Sequence, residues 1–224
     1  MVQKILLKII FDFIMQMIGD MMKKVIINHW MNIIKNEKNY DSVKLSEIKY
    51  GLEGLYLTLS KLFIIFTLSV IIGIFKEVLI FLVLYNILRM TSFGIHATKS
   101  WICLVSSIII FIGLPIFCVN FKFELFIKII AGIFCILLMF KNSPADTKKR
   151  PIVNSKRRLI YKIISTAISI VYMIISITIK NNFISNCLIV SMMLQNILIS
   201  PITYKIFNQP YNNYKAYLKL KPNF

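Results

Sequence analysis

Apolar and polar residues follow two different patterns along this chain of 224 residues, one periodic and one in long blocks. In residues 1–28, apolar side chains recur every three or four positions opposite a stripe of charged ones, which predicts an amphipathic helix. Such a helix lies in the plane of a membrane interface or packs on the protein itself. Residues 35–50 are mostly polar and predict a connector.

From residue 55 onwards, the apolar residues form long blocks separated by short polar segments. A helix that crosses a bilayer needs about 20 such residues, within a range of about 17–25. The second block falls short of this length unless Arg89 and the residues after it extend the helix. The pattern therefore predicts an all-α, polytopic membrane protein with six transmembrane helices and an N-terminal amphipathic interfacial helix. The six blocks are residues 55–75, 78–88, 101–119, 125–140, 159–179 and 183–204.

The basic residues support this count and orient the chain. The net charge is +18, with 27 Lys and Arg residues against nine Asp and Glu. If both termini are cytoplasmic, 21 of the 27 lie in the inside segments, as the positive-inside rule requires, whereas five spans would leave one basic end outside. Because these charges lie between apolar blocks, they predict contact with anionic lipids rather than with nucleic acid. The inside segments are residues 1–54, 89–100, 141–158 and 205–224.

Composition excludes several classes of protein. Hydrophobic residues make up 58% of the chain, above the roughly 45–50% of soluble domains. The four cysteines lie in apolar blocks, without a CxxC pair or a cluster with histidine, so neither a disulfide framework nor a zinc site is expected. We expect no metal and no cofactor. The first residues lack a short apolar core with a cleavage site, so we also expect no cleaved signal peptide.

One histidine and one cysteine are the candidate chemical groups. His96 and Cys103 stand seven residues apart, where a polar segment enters the third block. An imidazole can accept the thiol proton and leave a thiolate nucleophile. On one straight helix the two would be about 10.5 Å apart along the axis, too far for a hydrogen bond of about 2.6–3.2 Å. The chain around Gly94 is therefore expected to fold back, or the pair closes only when substrate binds. The competing interpretation is a loop histidine and a membrane cysteine with unrelated roles.

A second polar segment lies on the same predicted side of the membrane. Residues 141–152 carry a proline on each side of a basic stretch, and prolines stiffen a loop. Together with the segment around His96, this loop resembles the accessory gene regulator B (AgrB) family. The family's pattern is an Arg, a Gly-x-His-Ala turn, a Cys seven residues after the His, and a later Pro-Ala-Asp-Thr-(basic)-Pro-Ile loop. The matching residues are Arg89, Gly94-Ile95-His96-Ala97, Cys103, Pro144-Ala145-Asp146-Thr147 and Pro151-Ile152.

The resemblance extends over most of residues 45–205. It includes the run from Tyr50 to Glu53 and Lys61 near the start of the first span, and it departs at Phe93, where many members carry Gly or Ser. AgrB proteins are membrane cysteine endopeptidases of Gram-positive bacteria, acting in quorum sensing. They remove the acidic tail of AgrD, the precursor of a cyclic autoinducing peptide, and close a thiolactone or lactone ring.

For this chain, the resemblance implies that Cys103 attacks the carbonyl before the tail of an AgrD-like precursor. His96 would deprotonate the thiol and then protonate the leaving amine. Glu53 or Asp146 would orient His96, while Arg89 would pair with Glu53 or bind a substrate carboxylate. The basic residues of the second loop would bind the acidic tail, or they would only fix the topology and bind lipid. The expected substrate-binding residues are Pro144, Thr147, Lys148, Lys149 and Arg150.

The expected organisation has three parts. Residues 1–50 form the interfacial helix and a cytosolic connector, residues 51–204 the six-span peptidase domain, and residues 205–224 a cytosolic basic tail. The protein would lie in the bacterial cell membrane, with both termini and the active site on the cytoplasmic face, and the resemblance also implies a homodimer. The competing functions are a multi-span peptide exporter without proteolytic activity and a non-catalytic scaffold or sensor. The exporter would explain the six helices and Lys61, but it gives the His–Cys pair no role.

Overall fold

The computed structural model describes residues 22–35, 40–95, 100–147 and 151–220, and helices account for most of them. A π-helical turn, Ile109–Gly113, joins α4 to α5 in one continuous helical segment. The helices are α1 (residues 22–35), α2 (Ser42–Ile72), α3 (Phe75–Ser92), α4 (Ser100–Ile108), α5 (Leu114–Asn120), α6 (Leu125–Asn142), α7 (Ser155–Thr178), α8 (Asn182–Ile199), α9 (Pro201–Ile206) and α10 (Asn213–Leu220).

Within these ranges, five helical segments are long and apolar enough to cross a membrane. They are Ser42–Ile72, Ile102–Asn120, Leu125–Asn142, Ser155–Thr178 and Asn182–Ile199. α3 is also 18 residues long, because it continues past the second apolar block to Ser92, but it carries Lys76, Glu77 and Arg89 near its ends. Many large apolar side chains are exposed on these helices, as expected for surfaces that face lipid. The chain is therefore an all-α polytopic membrane protein, as predicted, and each of the six apolar blocks corresponds to a helical segment.

Local signals place two helix ends differently from the prediction. The side chain of Asp41 accepts a hydrogen bond from the Ser42 amide at 2.7 Å and so caps the start of α2. The connector predicted over residues 35–50 is therefore helical from Ser42 onwards, since no proline or glycine interrupts it. The last apolar block is divided at Ser200, because Pro201 disfavours helical backbone at the residue before it and opens α9.

The predicted amphipathic helix can be followed only from residue 22, since residues 1–21 lie outside the described residues. In α1, Ile27 and Met31 are buried, whereas Trp30 on the same helix is half exposed. An ion pair of 3.4 Å between Lys23 Nζ and Glu53 Oε2 connects α1 to α2. This helix therefore packs on the protein along one side and leaves apolar side chains exposed on the other.

α8 lies at the centre of the bundle and packs against α3, α5, α6 and α7. Its Met192 and Ile199 are fully buried in a cluster with Leu88 of α3 and Met139 of α6. The same half of α8 also buries polar side chains, of which Gln195 is wholly inaccessible to solvent. The C-terminal half of α8 thus brings hydrogen-bonding groups to the chain segment that follows α3.

Candidate functional site

The segment that precedes His96 is a tight turn with left-handed backbone. α3 ends at Ser92, and Phe93 and Gly94 then have φ angles of 57° and 111°. Residues with a side chain rarely adopt positive φ, so a small residue would suit position 93 better than the phenylalanine found here. The Phe93 ring packs edge-to-face on Tyr161, with the ring centroids 5.0 Å apart. The predicted interruption of the helix near Gly94 is confirmed, while His96 itself lies outside the described residues.

Arg89 holds this turn from the last helical turn of α3. Its Nη1 donates to the carbonyl of Phe93 at 2.7 Å, and its Nη2 donates to the carbonyls of Ile95 at 2.5 Å and Gly94 at 3.4 Å. The planar guanidinium can serve several acceptors at fixed angles, which the single ammonium of a lysine cannot reproduce. The direction in which the chain leaves Ile95 towards His96 is therefore set by Arg89.

Gly94 has no room for a side chain. A Cβ at this position would lie 2.7 Å from Arg89 Nη1, 2.9 Å from the Leu198 carbonyl oxygen and 3.1 Å from Ile199 Cγ2. Two of these neighbours are held in place, Leu198 by the helix backbone and Arg89 by its three carbonyl partners. A larger residue would therefore displace the turn itself.

We expect Gly94→Ala to destabilise the protein by about 2–3 kcal/mol, from the strained φ and the overpacking together. The path of the chain towards His96 should change with it, because His96 follows this turn in the sequence. Thermal unfolding in detergent measures the first effect. Gly54→Ala in α2 is the matched control, since nothing lies within 4 Å of a Cβ there and alanine favours helix. Equal stability of the two variants would contradict the prediction.

The loop that follows α6 docks on this turn through its backbone. The Gly94 amide donates to the Ala145 carbonyl at 2.9 Å, and the Ala145 amide donates to the Ser92 carbonyl at 3.0 Å, which forms a parallel bridge between Phe93 and Ala145. From α8, Gln195 Nε2 donates to Ser92 Oγ at 2.6 Å and to the Phe93 carbonyl at 2.7 Å. The two polar segments singled out in the sequence are therefore in direct contact.

Asp146 connects the same loop to the C-terminal helix. Its Oδ1 accepts from the Asn213 amide at 2.9 Å and its Oδ2 from the Tyr214 amide at 2.8 Å, so this buried carboxylate caps the start of α10. The phenol of Tyr204 donates to the Asp146 carbonyl at 2.9 Å. Burial raises the pKa of Tyr204 above its ordinary value, against an opposing effect of Arg89, so the phenol stays a donor at neutral pH.

We expect Asp146→Ala to release α10, because loss of a helix cap costs about 1–2 kcal/mol. Tryptic cleavage after Lys215 should then become several-fold faster in detergent, whereas Asp41→Ala, which removes the cap of α2, should leave that site protected. Asp146→Asn keeps one side-chain acceptor for one of the two amides and should keep part of the protection. An unchanged rate of cleavage after Lys215 in Asp146→Ala would contradict the capping role.

Cys103 differs from the other cysteines in its environment. It is the fourth residue of α4 and is partly exposed, whereas the remaining three are buried in the bundle with at most 3% of their surface accessible. A buried apolar cysteine behaves as a small hydrophobic residue, so only Cys103 can meet an incoming peptide without local unfolding. The three buried cysteines are Cys118, Cys135 and Cys187.

Two side chains from other helices lie near the Cys103 thiol. Lys61 of α2 donates from Nζ to Cys103 Sγ at 3.3 Å. Tyr85 of α3 lies close enough to interact electrostatically with both Arg89 and Cys103. Cys103 therefore lies beside α2 and α3, and α3 also carries Arg89.

A cleft of about 530 Å³ opens beside this turn, a size within the range of small-molecule and peptide pockets. It is lined by Phe93 and Gly94 of the turn, by Thr147 of the docked loop, and by Arg157 and Tyr161 of α7. The cleft thus joins the turn, the docked loop and a cationic side chain. It is a suitable place for an extended peptide segment with an acidic end.

These features can be compared with known proteins. The model of the family described as accessory gene regulator B matches residues 27–199 of this chain. The chain belongs to the accessory gene regulator B family. An AgrB-like protein of Clostridium acetobutylicum is 32% identical over 174 residues, which cover 78% of this chain and 83% of that protein.

Two further relatives bear names of the same family. The accessory gene regulator protein B of Staphylococcus aureus (strain Newman) is 32% identical over 159 residues, covering 70% of this chain and 82% of that protein. An AgrB-like protein of Listeria welshimeri is 29% identical over 185 residues, covering 83% and 91% respectively. No solved structure matches this chain.

The other residues expected from the AgrB resemblance do not all lie together, and some have partners other than those expected. Glu53 pairs with Lys23, and the Arg89 guanidinium faces backbone carbonyls instead of Glu53. Pro144, half-buried, follows a cis peptide bond in the docked loop. Among the described residues, no three metal-binding side chains come together. Three expected substrate-binding residues lie outside the described residues, and they are Lys148, Lys149 and Arg150.

Sequence reasoning missed several residues that build this AgrB site. Gln195 and Tyr204 hold the turn and the loop, and Asn213 supplies an amide to Asp146. Nothing in the local sequence marks these residues, because each acts across a long stretch of chain. Lys61 did carry a signal, since a charged residue inside an apolar block usually has a specific partner.

Proposed function

We propose that this chain is a membrane cysteine endopeptidase that processes an AgrD-like precursor of a quorum-sensing peptide. Cys103 is the nucleophile and His96 the general base. The enzyme removes the C-terminal tail and promotes closure of a thiolactone or lactone ring. One observation carries the proposal: Cys103 is the single cysteine of the four that is not buried, and it lies in the first turns of α4, just after the turn that leads to His96.

The reaction begins when the Cys103 sulfur attacks the carbonyl carbon before the tail, while the thiol proton passes to His96. The C–N bond then breaks, and His96 returns the proton to the leaving amine. The rest of the peptide stays on Cys103 as a thioester. A thiol or hydroxyl of the same peptide attacks this thioester and frees the Cys103 thiol. Thioester exchange is nearly isoenergetic, so ring closure needs proximity and exclusion of water rather than a fuel.

The reaction also requires that His96 is positioned and that the tail is bound, and the turn held by Arg89 and the adjacent cleft are suited to these two tasks. Arg89 fixes the backbone up to Ile95, which leaves only a short connection to the imidazole of His96. Arg157 in the cleft, together with the basic residues 148–150, is suited to an acidic tail. Membership of the accessory gene regulator B family supports the choice of a peptide precursor as the substrate.

The decisive experiment follows the fate of a precursor. Purified protein in lipid vesicles is mixed with a synthetic AgrD-like peptide, and the products are identified by mass spectrometry. We expect a free tail and a second product one water lighter than the linear remainder, which hydroxylamine opens if it is a thiolactone. An exporter would move the intact precursor without releasing a tail. A scaffold or sensor would neither release a tail nor move the peptide.

We also propose that the site faces the cytoplasm and that both termini lie there. A cysteine introduced by Lys156→Cys, at an exposed position of α7, should react with a membrane-impermeant maleimide only after the cells are permeabilised. The substitution is made in a Cys103→Ala background, because Cys103 is partly exposed and would also be labelled, whereas the three buried native cysteines provide little background. Labelling in intact cells would reverse the orientation and with it the proposed side of precursor recognition.

A further inference from the structure

Lys61 stands in an unusual position for a lysine. It lies well inside α2, the first candidate membrane span, and the nearby Leu59 and Phe63 are exposed to the surroundings of the bundle. The Lys61 side chain is half-buried, and its ammonium donates to Cys103 Sγ at 3.3 Å. An ammonium within the apolar part of a membrane protein is costly, so a lysine there is usually engaged with a specific partner.

The partner of Lys61 is the sulfur rather than a carboxylate. In the described part of the chain, the ion pair nearest along α2 joins Glu53 to Lys23, and no carboxylate pairs with Lys61. α4 and the π-helical turn, which pack against α2, carry no charged residue. From α3, Tyr85 lies close enough to interact electrostatically with Cys103 and, separately, with Arg89. A thiolate would neutralise the ammonium of Lys61, whereas a thiol would leave it uncompensated.

We propose that Lys61 is a catalytic residue that holds Cys103 as a thiolate through direct contact with the reacting sulfur. This inference rests on the proposed function, in which Cys103 is the nucleophile. The thiol proton passes to His96, and Lys61 stays protonated and forms no covalent bond. When the sulfur bonds to the peptide carbonyl carbon, the negative charge moves from the sulfur to the carbonyl oxygen, and it leaves that oxygen when the C–N bond breaks.

The gain from such a contact can be estimated. A neighbouring lysine raises the thiolate fraction of a cysteine near neutral pH. The stabilised thiolate is less nucleophilic, but only by about threefold for each tenfold gain in acidity. For a contact that increases thiol acidity tenfold, the net effect near pH 7 is a reaction about threefold faster. Well above the titration range of thiols the sign reverses, because every thiol is then ionised and the unstabilised thiolate is the better nucleophile.

The test is the pH dependence of Cys103 alkylation by iodoacetamide, measured on the full chain in detergent by site-resolved mass spectrometry. We expect Lys61→Met to lower the rate by about threefold near pH 7 and to raise it by about twofold near pH 9. Lys61→Arg keeps the positive charge and should follow the parent at both pH values. The charge on Arg89 does not change over this range.

The matched control is Lys162→Met. Lys162 lies in α7 over the Phe140 ring, 4.5 Å from its centroid, and has no described contact with Cys103. Its removal should leave both alkylation rates unchanged. A loss in Lys61→Met by the same factor at both pH values would show a packing role and overturn the proposal, as would an unchanged profile. A Lys61→Arg profile that departs from the parent as far as Lys61→Met would overturn it as well.

Alkylation needs no substrate, so this experiment separates the inference from the proposed function. If Cys103 alkylation shows the crossing profile but no precursor is cut, Lys61 still stabilises the thiolate and the proposed function fails. If the precursor is cut by a Cys103-dependent reaction while Lys61→Met has the parental profile, the function stands and the role of Lys61 fails. In the enzyme, Lys61→Met should lower kcat/KM for tail release near pH 7 more than near pH 9.

Discussion

Cys103→Ala is expected to abolish release of the precursor tail, with a loss of at least about 10³-fold. The methyl group offers no electron pair to the peptide carbonyl, and the three other cysteines are buried elsewhere in the bundle, so none can replace it. Cys103→Ser should lose almost as much, because a hydroxyl does not ionise near neutral pH. Both variants should still bind the precursor, since the cleft beside Phe93 is unchanged.

The control for Cys103 is Cys135→Ala, which removes a buried thiol of α6. This variant should keep release of the tail within a few-fold, as only a small cavity is made. The measurement is the initial rate of tail release in vesicles, together with precursor affinity. Release of the tail at the parental rate by Cys103→Ala would rule out Cys103 as the nucleophile. The chain would still belong to the family, but the proposed cysteine chemistry would be wrong.

Arg89→Met is expected to slow tail release by about 10²-fold, the size of loss that follows when reacting groups move by about 1 Å. The guanidinium bonds to the carbonyls of Phe93, Gly94 and Ile95, and these residues lead directly to His96. Without it, the carbonyls of Gly94 and Ile95 lose this donor, the Phe93 carbonyl keeps only Gln195, and the turn can relax. We expect Arg89→Lys to recover little of the loss, because one ammonium cannot span three carbonyls.

A charge effect on substrate binding must be separated from this positioning effect. Lys141→Met removes an exposed positive charge at the end of α6, near the same loop, and should leave tail release unchanged. If Arg89 fixes geometry, Arg89→Met lowers kcat and leaves the precursor affinity nearly as it was. A rise in KM with unchanged kcat would instead assign Arg89 to a substrate carboxylate, which is the other role predicted from the sequence.

The helical architecture could be read from the sequence because it depends on local properties. Apolar blocks of spanning length must form helices in a bilayer, where every backbone polar group needs a partner within its own segment. The interruption at Gly94 was predictable only on the condition that His96 and Cys103 act directly on one another, because seven residues of straight helix separate them too widely. The start of α2 at Ser42 was missed because a polar helix and a polar connector share the same composition.

The site could be predicted only in part, because its contacts join residues far apart in the chain. Asp146 bonds to the amides of Asn213 and Tyr214, 67 and 68 positions later, and Lys61 reaches Cys103 across 42 positions. No periodicity or spacing reports such contacts. The family pattern indicates that Asp146 and His96 belong to one site, but it does not indicate which atoms are in contact. In the structure, the Asp146 carboxylate accepts hydrogen bonds from backbone amides of α10.

The lengths of the helices have a consequence for the choice of lipid. α6 has 18 residues and is about 27 Å long, slightly less than the roughly 30 Å hydrocarbon core of an ordinary bilayer. α2, with 31 residues, measures about 46 Å and accommodates any thickness by tilting or by projecting beyond it. The exposed Phe134 and Leu137 put α6 in contact with acyl chains, so hydrophobic mismatch acts on α6 more than on α2. Short-chain lipids match this helix best, and long-chain lipids strain the bilayer around it.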